Sequence, residues 1–124
     1  MDEQGYRGLL VWQRGVDLTE AIYALTELMP SSERYGLASQ IQRSAVSIPS
    51  NIAEGHARSH TGDYLKHLSY ARGSLAEVET QIIVAVRVKR VTREDAMKSW
   101  ELAQEVGRML TGLVKSVADG RNSS

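Results

Sequence analysis

Residues 68–85 read LSYARGSLAEVETQIIVA. Leu68, Ala71, Leu75, Val78, Ile82 and Ala85 fall at alternating spacings of three and four. Seven residues over two turns keep one narrow stripe facing a partner, which is the a/d rhythm of helices packed side by side. A half-buried strand would alternate at every second residue instead. Tyr64, Ile83, Val84, Val86 and Val88 are apolar too and widen the stripe beyond a single seam. A helix apolar over this much of its girth must be covered on more than one side, which points to association between copies. Residues 82–88 are rich in β-branched side chains and locally suit a strand. They continue the upstream repeat in phase, so one helix is predicted over 62–89.

Working downstream, Thr92 is placed to cap a further helix over 93–118, with Glu94 and Asp95 in its favourable first turn. Ala103, Val106, Leu110, Leu113 and Val117 form its seam. Upstream, a helix over 32–54 starts at Ser31 or Ser32, either of which can cap. Its stripe of Ile41, Ala45, Ile48 and Ile52 runs in phase through Pro49. A proline inside a helix removes one hydrogen bond and crowds the carbonyl four residues back, here Ala45. Because phase is kept, the sequence predicts a kink and no break. Ser47, Ser50, Asn51 or a water is expected to satisfy the freed groups, and Gly55 to end the helix in a left-handed conformation. The first helix is predicted over 10–29, with Trp12, Val16, Ile22, Leu25 and Met29 on one stripe and Pro30 as its stop. Four helices with short links give an all-α, antiparallel up-down-up-down four-helix bundle, one domain over 1–124 with a frayed tail at 120–124.

The 124 residues carry 42% apolar and 24% charged side chains, a globular composition with zero net charge. There is no cysteine, which excludes disulfides, thiol catalysis and Cys-ligated metals. Asp2 and Glu3 stand where a secretory signal would be basic, and no apolar run approaches the ~20 residues of a membrane span, so a soluble cytoplasmic protein with no membrane partner is expected. The neutral total hides an uneven distribution. Residues 56–93 hold seven bases against three acids, together with His56, His60 and His67. Arg58 and Lys66 lie with these histidines near one helix turn, and Arg87, Lys89, Arg90 and Arg93 near the next. The intervening helix would separate the two clusters by roughly 35 Å. These cations are the candidate nucleic-acid contacts, and a ring of copies would repeat them as a rim.

A second, polar stripe runs along the Pro49 helix: Gln40, Arg43, Ser44, Ser47, Asn51 and Glu54. Ser74, Glu77, Thr80 and Gln81 recur on the following helix, with Glu79 on another face. Short uncharged residues are unusual on a solvated face, which normally uses Lys and Glu. The stripe therefore predicts a hydrogen-bond network between helices, with Arg43 paired to Glu77 or Glu79.

The run from Tyr35 to Gly55, YGLASQIQRSAVSIPSNIAEG, resembles the signature of the four-helix-bundle proteins encoded in intervening sequences of bacterial 23S ribosomal RNA genes. Val11-Trp12-Gln13 upstream and GSLAEVET over 73–80 match the same family in order and spacing. The resemblance implies a left-handed bundle that associates into a homopentameric ring. The family is also similar to the accessory variability determinant of diversity-generating retroelements, a basic pentamer that binds nucleic acid and a reverse transcriptase. Carried over residue by residue, the family's polar positions are Gln40, Arg43, Ser47, Asn51, Glu54, Ser74, Glu77 and Glu79. This chain departs from the basic relatives, with an isoelectric point near 6.8.

No phosphate-binding loop and no nucleophile elbow is present. Glu77 and Glu79, two apart on a helix, point to different faces, and the Glu-x-x-His pairs of di-iron bundles are missing. His56 and His60 are read as solvated loop residues, with no metal and no cofactor. The leading expectation is a non-enzymatic homo-oligomeric scaffold or adaptor, with another protein as partner. The alternative is a nucleic-acid-binding accessory protein acting with RNA, DNA or a reverse transcriptase, and a small-molecule or metal-binding bundle comes third.

Overall fold

The computed structural model describes residues 5–120. It contains α1 (Leu10–Glu27), α2 (Leu37–His56), α3 (Thr61–Arg87) and α4 (Arg93–Ala118), with short 3₁₀ turns at Gly5–Gly8 and Ser31–Glu33. Among the described residues there is no strand. Each helix packs on its chain neighbours and α1 also packs on α4, so the four form a closed four-helix bundle around one core. The α3 seam of Leu68, Ala71, Leu75, Val78, Ile82 and Ala85 is buried throughout, as is the α2 seam of Ile41, Ala45, Ile48 and Ile52.

In α1 the seam differs from the predicted stripe. Val11, Gly15, Leu18, Ile22, Leu25 and Met29 are buried, whereas Val16 is exposed and Trp12 half-buried. The spacing is again four and three, but Gly15 holds a seam position and carries no hydropathy to reveal it. A Cβ there would stand 3.4 Å from the Pro49 Cβ. In α4, Ala96 and Ser99 extend the seam toward the N-terminus, and Leu113 is only half-buried.

The start of α2 also needs correcting. Ser31 and Ser32 do not cap it; they open the 3₁₀ turn after Pro30, and α2 begins at Leu37. The Glu33 carboxylate does the capping, accepting from the Leu37 N–H at 3.3 Å. Its other oxygen accepts from Arg90 Nε at 2.6 Å, which ties the α1–α2 connection to the α3–α4 connection. The Arg90 and Leu37 hydrogen bonds hold the Glu33 carboxyl below its ordinary range. The ionised form is thus favoured by folding. Its contribution is present above the usual carboxylate pKa and is lost as pH falls through the lower folded value.

Pro49 lies inside an α2 that continues on both sides of it. The Ala45 carbonyl, deprived of its helical donor, lies 3.1 Å from Thr19 Oγ1 of α1, whose one hydrogen is shared between it and the Gly15 carbonyl at 2.9 Å. The expected local donors, Ser47, Ser50 and Asn51, do not serve it. Gly55 was expected to end the helix, yet α2 runs on to His56 with Gly55 buried inside it. A Cβ at Gly55 would lie 2.9 Å from His67 Cβ and 3.0 Å from the Tyr64 ring, so this glycine exists for the close approach of α3.

Thr92 caps α4 in a reciprocal capping box with Asp95. The end of α3 is less usual. Lys89 takes φ 62°, its N–H reaching Val86 O at 3.0 Å while the Arg90 N–H reaches Ala85 O at 2.9 Å. This is the Schellman arrangement with lysine where glycine normally sits. Of the predicted frayed tail, residues 121–124 lie outside the described residues.

Candidate functional site

The α2–α3 junction is built on short side chains. Ser47 and Ser74 place their hydroxyl oxygens 2.8 Å apart. The Asn51 amide donates to the Ser47 carbonyl at 2.9 Å and to Ser47 Oγ at 3.0 Å. Between the two hydroxyls either serine can be the donor, since Ser47 Oγ can accept from Asn51 and from Ser74 at once. The Asn51 carbonyl oxygen is left to accept from His67 Nδ1 at 3.2 Å. His67 Nε2 stands 3.8 Å from Glu54 Oε2, and Arg58 reaches the same oxygen at 3.4 Å. The result is a polar ladder from mid-helix to the helix end, each rung meeting the next. Asn51 separates His67 from both serines, so the imidazole is not placed to take a proton from either hydroxyl.

Above the ladder lies a shallow groove lined by Gln40, Arg43, Ser44, Ser47, Ser74, Glu77 and Gln81. Arg43 and Glu77 are exposed and make no ion pair, and Glu79 accepts instead from Gln104 of α4 at 2.8 Å. The predicted pairing of Arg43 with Glu77 or Glu79 is thus absent. The ladder uses Ser47 and Asn51 of α2, Arg43 lines the groove without an acidic partner, and Glu79 is on the α4 side of α3. Gln40 is exposed, its carbonyl accepting from the Ser44 hydroxyl at 3.1 Å. Sequence reasoning missed His67 and Thr19 as partners. Both sit at helical spacing on faces already marked, but their partners are distant in sequence.

Of the two histidines expected in a solvated loop, His56 is instead in α2 and packs edge-on against Tyr64 with centroids 5.8 Å apart, whereas His60 precedes α3 in the open; His67 is within α3, inside the predicted helix. Among the described residues no group of three or more metal-ligating side chains occurs, and no helix is long and apolar enough to cross a membrane. Of the candidate nucleic-acid contacts, Arg58 is engaged by Glu54 and Arg90 by Glu33. Lys66, Arg87, Lys89 and Arg93 are exposed.

Two apolar surfaces remain uncovered. One lies between α1 and α2, where Trp12, Val16, Val46 and Ala53 line a groove beside Glu20. The other lies between α3 and α4, where Ile83, Val86, Met97 and Trp100 line a groove beside Arg87 and Arg93. Val16 and Val46 are each 41% exposed, Ile83 44% and Met97 46%, which is high for such side chains. In the closed order α1–α2–α3–α4 the two surfaces lie on opposite sides of the bundle.

These features define a small all-α protein with a polar ladder between α2 and α3, a buried Gln81 Oε1 without a partner beside it, and apolar strips on its outer edges. Comparison with known families places it further. The chain belongs to the 23S rRNA-intervening sequence protein family, whose signature matches residues 7–112. In fold it is similar to the 1.70 Å crystal structure of a protein of unknown function from the S23 ribosomal protein family of Bacteroides thetaiotaomicron. The two superpose with a TM-score of 0.79 at 22% identity, over 86% of this chain and 96% of the other. No curated protein matches the chain.

Proposed function

We propose that the protein is a non-enzymatic scaffold or adaptor of the cytoplasm that works as a closed ring of its own copies. One observation carries this reading: two apolar strips on opposite sides of the bundle, neither covered within the single chain. Contact between unlike faces propagates from copy to copy and closes when the rotation allows. Five copies are expected from the family resemblance. Within each copy the helices alternate in direction, a reading supported by the short connections and by the Arg90–Glu33 bridge between the first and third of them. Light scattering at micromolar concentration is expected to give a mass near five chains, and a clean monomer would overturn the proposal.

A second reading has its own support. Lys89 occupies a left-handed conformation that costs a non-glycine residue about 1 kcal/mol, beside exposed Arg87 and Arg93. A cation kept at that cost fits a phosphate-binding rim, as in an accessory protein acting with RNA or a reverse transcriptase. Labelled single-stranded RNA should then shift at low salt and release steeply as salt rises. No shift at low salt with the oligomer intact removes this reading.

A further inference from the structure

Resting on the self-association reading, we infer that copies meet head to tail through a charge-coded contact. The α1/α2 face of one copy seats on the α3/α4 face of the next, with Glu20 opposite Arg87 and Arg93. The two strips match in apolar character but differ in sign. The groove beside Val16 and Val46 is lined by Glu20 and by no Lys or Arg. Glu27 follows Glu20 by seven residues, two turns along the same side of α1, and is exposed. The groove beside Ile83 and Met97 is lined by Arg87 and Arg93 and by no acid. Beyond the groove the face is mixed, with exposed Arg72 and Arg108 beside Glu79 and exposed Glu101, so the positive sign belongs to the groove itself, through Arg87 and Arg93.

Pairing like faces would set arginines against arginines or glutamates against glutamates. Unlike pairing brings opposite charges around an apolar centre, and that selects the heterologous contact over an isologous dimer. Half-buried Trp12 and Trp100 supply one aromatic anchor from each side. At the other two edges the polar side chains mostly bond within the chain, Gln81 Oε1 on the α2/α3 side excepted. At the α1/α4 edge Arg14 is held by Glu105 at 2.8 Å and by Asp17 at 3.0 Å, and the α2/α3 edge carries the polar ladder. These edges become the inner and outer walls of the ring. Arg87 and Arg93 are then interface residues, and they are not free to hold phosphate.

The test uses two single-face variants, Val46→Asp and Met97→Asp, with helicity checked by circular dichroism. Each alone is expected to run as a monomer, because every copy lacks one half of the only contact. Mixed in equal amounts, they should form a one-to-one dimer through the two surviving faces and go no further. A Met97→Asp variant that remains a dimer, or a Val46→Asp variant that still assembles, overturns the face assignment. A monomeric wild-type chain overturns the scaffold reading itself. Glu20→Arg tests the charge code without touching the apolar centre. The concentration for half-assembly should rise by about tenfold or more, and adding Arg93→Glu to the same chain should restore it. Unchanged assembly in Glu20→Arg, or no restoration in the double variant, removes the charge code.

Discussion

Along one edge α2 leans on α1 through Pro49 and Gly15, with the Thr19 hydroxyl as a polar contact between them. Along its other edge it leans on α3 through Ser47, Asn51 and Gly55, and the polar side chains there bond to one another. Both edges use small residues to bring backbones close, but for different reasons. On the α1 side the polar demand comes from α2 itself, because Pro49 leaves Ala45 without its donor. One hydroxyl answers it, and the surface outside stays apolar. On the α3 side the small residues make room for a network, and the surface outside stays polar. An edge whose polar side chains mostly bond within one chain can face water, whereas an edge that leaves apolar surface outside calls for a second chain.

The largest expected effect breaks the α3 edge. Gly55→Ala pushes a methyl group into His67 and Tyr64 and should cost about 2–3 kcal/mol, within the usual range for overpacking, as read by denaturant unfolding. Gly15→Ala sharpens the contrast, since its Cβ meets Pro49 at an ordinary contact distance and alanine favours the helix. Its stability should be unchanged or slightly raised.

Thr19→Val comes next. It keeps the shape but orphans the Ala45 carbonyl, which should cost about 1–2 kcal/mol, and Thr19→Ser should recover most of that. Equal stability of Thr19→Val and the parent would show that the proline site has no need of α1. A comparably small effect belongs to Arg43→Ala. An exposed, unpaired guanidinium should change stability by less than about 0.5 kcal/mol. A loss of several kcal/mol would mean that the groove is closed in solution and that Arg43 is paired there.

Much of the fold was legible in the sequence. The α3 repeat, the unbroken phase of α2 across Pro49 and the Thr92–Asp95 cap are local patterns, and local patterns survive packing. What was misread depended on what comes close in space. Gly15 and Gly55 carry no hydropathy, so their message is in Pro49, Tyr64 and His67, and only the assembled bundle brings these together. Thr19 looked like an ordinary helix residue until the carbonyl opposite it lost its donor. The serines at 31 and 32 satisfied the rule for a cap, but Glu33 reached the Leu37 N–H first, held in place by Arg90 from the far end of α3. In the polar stripe, residue type foretold the network of Ser47, Asn51 and Ser74. It did not foretell that Arg43, four residues before Ser47 and lining the same groove, would stay exposed with no acidic partner.

The proline also bears on the cooperativity of α2. A helix normally closes its own ladder of hydrogen bonds as it grows, and each bond formed favours the next. Residues 37–56 cannot do this alone, because the rung between Ala45 and Pro49 is missing and its acceptor is met only when Thr19 arrives from α1. As an isolated peptide α2 is therefore an interrupted helix, and its two halves become one cooperative unit through the neighbour that precedes them in the chain. The middle turn of α2 is thus completed by a tertiary contact, and the helix depends there on its neighbour α1.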